Sequence, residues 1–171
     1  MAAYPSVTKS YGFRPVNRFD GIPYAGATLQ YPVTSGQAIY YGDTVKLVAG
    51  GTISQSGATT TGTVLGVFVG CQYVNSTGQT VQAQYYPGTS VTNAIAYVVD
   101  DPMAAFKVAV VYANSVVTTV NASIVGVNMA VDQGTGSTTT GDSGAGVLVA
   151  TNNLGNAATL PVRCVSVVPE T

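Results

Sequence analysis

The 171-residue sequence has no histidine, no tryptophan, two cysteines, and only 6 basic and 7 acidic residues. Each scarcity excludes something. Without an imidazole the chain has no ordinary general base near neutral pH, and it lacks the commonest metal ligand. Two cysteines without histidine cannot complete a structural zinc site. No Walker pattern and no dinucleotide fingerprint is present. The net charge of −1 offers little attraction to nucleic acid or to an anionic membrane. The expectation is therefore no enzyme, no cofactor, no metal, no direct nucleic-acid partner and no membrane partner. The N-terminus has no apolar core of a secretion signal. Apolar runs such as Val64–Cys71 are broken by Gly66 and Gly70, well short of a membrane span. Synthesis and first assembly are expected in the cytoplasm, with Cys71 and Cys164 as buried free thiols rather than a disulfide.

What is present is the punctuation of an all-β chain. Many short β-branched or aromatic runs are separated by 20 glycines and 8 prolines. Apolar residues at 46% are enough for a real core, while 8% charge suits a protein packed among neighbours. The pattern predicts an edge strand in Ala27–Val33 and a strand at Thr44–Val48. Gly50-Gly51 then turns the chain tightly into Thr52-Ile53. Ser54–Gly62 reads as an exposed loop. Thr63–Val74 is the longest strand candidate, with Leu65, Val67, Val69, Cys71 and Tyr73 on one face and Phe68 between two glycines on the other. Gln79–Tyr86 alternates, and Ala94–Val99 and Phe106–Ala113 read as central strands. A short helical turn is expected at Asp100–Ala105. Val117–Val125 fits a helix or a strand, Gly134–Gly146 a flexible loop, and Leu160–Val168 a last strand. The fold class is all-β with minor helix: one β-rich domain over 21–171, preceded by an extended arm over 1–20.

Four features could carry function. Lys9, Arg14 and Arg18 precede the first acid, Asp20, in a segment that also holds Pro5, Pro15, Tyr11 and Phe13; it fits a docking arm or a solvated terminus. Gly141-Asp142-Ser143-Gly144 spells the tetrapeptide around the nucleophile of chymotrypsin-like proteases, but that chemistry needs an imidazole. Asp100-Asp101 fits a capped turn better than a metal or catalytic pair, because neighbours on a strand point to opposite faces. Tyr40-Tyr41 and Tyr85-Tyr86 can each place one ring inward and one outward, which makes Tyr40 and Tyr86 candidate oligomer contacts.

The segment Tyr41-Gly42-Asp43-Thr44-Val45-Lys46-Leu47-Val48-Ala49-Gly50-Gly51-Thr52-Ile53, followed by Leu65-Gly66-Val67-Phe68, resembles capsid decoration (cement) proteins of tailed bacteriophages. Tyr11–Val16, Tyr97–Pro102 and Gly134–Gly144 extend the likeness to structural proteins of cyanobacterial and marine phages. The resemblance implies a compact β-barrel, β-sandwich or β-tulip-like domain on the exterior of a virion capsid, made in the host bacterial cytoplasm. It implies the major capsid protein as partner and a homo-oligomer, a trimer in preference to a dimer. Lys9, Tyr11, Phe13, Arg14 and Arg18 become candidate capsid contacts, and deletion of Met1–Asp20 is expected to leave the β-domain folded. The alternatives are another virion component, from the minor head or tail, and a non-catalytic carbohydrate-binding module.

Overall fold

A computed structural model describes residues 9–34, 36–57, 59–60, 63–112, 115–117, 120, 122–149, 154–155 and 160–168. Among them the strands are β1 (Arg14–Arg18), β2 (Leu29–Pro32), β3 (Thr44–Val48), β4 (Thr52–Gln55), β5 (Thr59–Thr60), β6 (Gly66–Val74), β7 (Thr80–Ala83) and β8 (Thr92–Val99). They continue with β9 (Ala104–Lys107), β10 (Val110–Tyr112), β11 (Ser115–Val116), β12 (Asn128–Met129), β13 (Val131–Asp132), β14 (Gly146–Leu148), β15 (Leu154–Gly155) and β16 (Val162–Arg163). Among the described residues helix is confined to one 3₁₀ turn, Ala122–Ile124. The fold is all-β, as the turn punctuation predicts.

The first half builds a small barrel. Its antiparallel sheet runs β2-β8-β6-β3-β4, with β7 on the far end of β6. The ring closes where Val33 bridges to Ile53 and the Thr34 N–H donates to the Ile53 carbonyl at 2.9 Å. The β3–β4 hairpin forms where the sequence places it, because Gly50 and Gly51 both adopt positive φ (87° and 75°), a region costly for residues with a Cβ. Inside lie Ile39, Val45, Ile53, Phe68, Cys71, Tyr86, Ala96 and Val98, all buried. Burying a Phe, Ile or Val side chain contributes about 1.5–3 kcal/mol, so this cluster dominates the barrel's stability.

Simple alternation fails within β6. The register against β8 slips between Phe68 and Gly70, where Gly70 has φ 142°. The extra residue turns Phe68 and Cys71 to the same interior, while Val67 faces a second core. That second core gathers Phe13, Val67, Ile124, Met129, Val131, Ala145 and Val147. Around it stand a five-stranded sheet, β11-β10-β14-β13-β5, and a three-stranded one, β15-β12-β16.

Other expectations need correction. Asp100–Ala105 makes a β-turn without helix, closed by Ala104 N–H to the Asp101 carbonyl at 3.0 Å. Phe106–Ala113 divides between β9 and β10, and the strand in Leu160–Val168 is only two residues long. In Ser54–Gly62, residues 54 and 55 belong to β4. Gly134–Gly146 is no free loop, since Ser143 and Ala145 are buried.

The arm is the largest correction. From Ser10 to Arg18 the chain is part of the domain: β1 pairs antiparallel with β9, and Phe13 sits 3% exposed in the second core. Met1–Thr8 lie outside the described residues. An aromatic ring at position 13 is worth more inside the molecule than on it, and deleting Met1–Asp20 would remove a core residue.

Candidate interaction surface

The N-terminal segment is fastened by backbone. Gly12 N–H donates to Ala145 O (3.1 Å) and Phe13 N–H to Gly42 O (2.9 Å). A Cβ on Gly12 would come within 2.7 Å of the Ser143 side chain, so only glycine permits this approach. The Phe13 ring meets Phe106 edge-on, with centroids 6.2 Å apart. Arg14 reaches Asp142 at 2.5 Å and lies over the Tyr41 ring, 4.2 Å from its centroid, with Tyr11 at 6.0 Å. Arg18 binds Asp20 (3.0 Å) and Asp101 (2.9 Å).

Of the five predicted capsid contacts, Phe13 is therefore internal, and Arg14 and Arg18 are neutralised within the chain. Lys9 is exposed and Tyr11 is half-buried. Burial pushes the Tyr11 hydroxyl's pKa up, and nearby Arg14 opposes the shift. Of the two predicted oligomer contacts, Tyr86 is buried at 2% in the barrel, where it exchanges backbone hydrogen bonds with Ile39. It cannot reach a partner. Tyr40 is half-buried, stacked on Tyr85 with centroids 5.6 Å apart and planes 13° off parallel. The two positions are not brought together as one surface.

The tetrapeptide Gly141–Gly144 meets the start of β3 in a buried polar cluster that the sequence pattern does not disclose. Asp43 is fully buried. One carboxylate oxygen accepts the Ser143 hydroxyl; the other accepts Tyr40 N–H (2.9 Å) and the Gln55 amide (2.7 Å). Burial raises the Asp43 pKa, and these three donors pull it back without cancelling the rise. Thr44 donates to the Gln133 carbonyl oxygen at 2.9 Å, and the buried Gln133 side chain also favours the Asp43 anion. The Ser143 oxygen also accepts Ala145 N–H at 2.8 Å. This geometry ties the barrel to the loop; the serine hydroxyl is spent on a carboxylate with no imidazole beside it.

Asp100 and Asp101, just past β8, take different partners. Asp100 accepts the Tyr31 hydroxyl (2.7 Å), which raises that hydroxyl's pKa. Asp101 caps its turn by accepting Met103 N–H (2.9 Å) and pairs with Arg18. Both cysteines are free; burial pushes the Cys71 thiol up to about 12 and leaves it inert. Among the described residues, no three metal-ligating side chains cluster and no helix is long and apolar enough to cross a membrane.

Part of the described surface is apolar. A cleft of about 1040 Å³ runs from Phe19 and Pro102 past Phe106, Val108 and Val110 to Val162 and Val165. Near its Phe19 end the exposed residues include Val16 (48%), Phe19 (53%), Ile22 (58%) and Met103 (40%). Backbone bonds hold three of these near one another: Phe19 N–H to Met103 O, and Arg18 N–H to Ile22 O. The spacing Val16-Phe19-Ile22 is the sequence signal of this patch, and the charges and prolines of the same segment mask it. No known family model matches the chain, and neither a curated protein nor a solved structure matches it.

Proposed function

We propose that the chain is a structural virion protein that binds the outer surface of a phage capsid and stabilises the shell. The observation that carries this reading is the open apolar cleft, with Phe19, Ile22 and Met103 exposed at one end, on a molecule with so little charge. Exposed apolar surface of this kind marks association sites, and low charge removes the usual brake on association. The docking residues are then Phe19, Ile22 and Met103, in place of the internal Phe13, while Lys9 and Tyr11 lie toward the other end of β1. The partner is the major capsid protein. Many modest contacts repeated over a symmetric lattice supply the stability that one contact does not.

The test adds the full chain to purified shells that lack it and measures co-sedimentation. Phe19→Asp combined with Met103→Asp should lose most of the shell-bound fraction while the melting temperature holds. Equal occupancy by the double variant, or absence of the chain from purified virions, sinks the reading.

A further inference from the structure

Open strand edges are places where chains join, and proteins blunt them with proline, charge, shortness or cover. Among the described residues the edges of this fold are blunted in these ways, with one exception. β1 carries Arg14, Pro15 and Arg18, and β9 ends on Lys107. The Val33–Ile53 bridge covers β4 and the end of β2. β5, β11, β15 and β16 are two residues long. β7 has no such device: Thr80-Val81-Gln82-Ala83, running on into Gln84, holds neither proline nor charge.

The direction of its free groups follows from the hairpin. Asn75 N–H donates to Gln79 O at 2.9 Å and closes the β6–β7 turn. Counting in twos, Tyr73–Val81 and Cys71–Ala83 face each other as hydrogen-bonded pairs. The N–H and C=O groups of Thr80, Gln82 and Gln84 therefore point away from β6. Tyr86 is next in that series. Its N–H donates to Ile39 O (2.7 Å) and its carbonyl accepts Ile39 N–H (3.0 Å), so its backbone is already paired. Beyond Ile39 the edge is open: no described residue pairs with the backbone of Thr80, Gln82 or Gln84, and their side chains are exposed.

We propose that a second copy of the chain adds its own β7 antiparallel to this edge, about a two-fold axis through Gln82. In that register Gln82 faces Gln82 and Thr80 faces Gln84, with about six backbone hydrogen bonds across the join. No cross-strand pair sets like charges opposite each other. The acid nearest the edge, Asp142, accepts the Gln84 amide at 2.9 Å and is already neutralised by Arg14. Two copies that share this one uncharged edge close isologously about a two-fold, with the strands antiparallel, so the product is a dimer. A three-fold trimer cannot pair this edge with its own counterpart. The pairing is independent of the shell-binding reading and stands or falls in solution without a capsid.

Sedimentation equilibrium of the full chain over a concentration series up to millimolar tests it, with Gln82→Pro and Gln82→Lys alongside. The wild type should pass from monomer to dimer, and the Gln82 amide should exchange its hydrogen more slowly as the dimer fills. Proline at 82 removes only an outward N–H, and lysine places a charge opposite its own copy. Both variants should remain monomeric; the exposed Gln82→Lys keeps the test valid if the proline variant fails to fold. A wild type that stays monomeric throughout, a trimer, or a dimer that Gln82→Lys leaves intact overturns the proposal.

Discussion

The barrel and the second core solve the same problem with different materials. In the barrel, β6 and β8 run nine and eight residues, and their ladders carry most of the backbone hydrogen bonding. Around the second core, β13 has two residues and β14 three, and single bonds stitch distant segments together. Val147 N–H reaches Ala109 O, Leu148 N–H reaches Ala130 O, and Gly126 N–H reaches Cys164 O. A long alternating strand specifies its own register, because a one-residue slip would turn its apolar face to water. A two-residue strand specifies almost nothing by itself. The second core is therefore a structure that its neighbours impose, and two of its buried residues, Phe13 and Val67, come from the N-terminal segment and from the barrel.

Deleting Met1–Asp20 should break the comparison most severely. It removes β1, the Phe13 ring and the Arg14–Asp142 ion pair together. The expected outcome is loss of protection around β9, β10 and β14 in hydrogen exchange, with protection retained in β6 and β8. Uniform retention of protection would show that the second core does not need the N-terminal segment.

A smaller effect comes from truncating one ring on each side. Phe68→Ala empties the barrel and Phe13→Ala the second core; each should cost about 3–5 kcal/mol in urea unfolding. Val67 and Phe68 are adjacent yet belong to different cores, so β6 couples the two. Each variant should accordingly melt in a single transition. A separate early transition in Phe13→Ala alone would make the second core an independent unit.

The same contrast governs what the sequence discloses. Thr44–Val48 and its Gly50-Gly51 hairpin are local features, written in β-branched residues and in glycines that need positive φ. Plain alternation puts Cys71 and Phe68 on opposite faces of β6, because the bulge that turns both inward is one residue long and its only sign is Gly70 itself. Charge and proline in residues 9–20 resemble those of an arm, while the β1–β9 pairing that makes them domain depends on a partner some 90 positions away. The cluster of Asp43, Gln55, Gln133 and Ser143 draws on four separate segments. No periodicity connects them. Gly-Asp-Ser-Gly reads as a nucleophile motif, while its serine holds the loop against Asp43.

That cluster is where the two regions meet, and the smallest expected effect tests it by pH. Burial raises the folded-state pKa of Asp43 above its unfolded value, while the Ser143, Tyr40 and Gln55 donors limit the rise. The folded state therefore holds a proton that the unfolded chain has already released. The stability Asp43 contributes is complete below the unfolded pKa, about 4, and is lost as pH rises through the folded value, above which the curve is flat. Asp43→Asn should remove this slope from urea midpoints measured across the acidic range. Ser143→Ala takes away a donor that favours the anion, so the loss on raising pH should become larger and extend to higher pH. A slope unchanged in Asp43→Asn would assign it to other carboxylates, and the junction would then hold the barrel to the second core equally well in either protonation state.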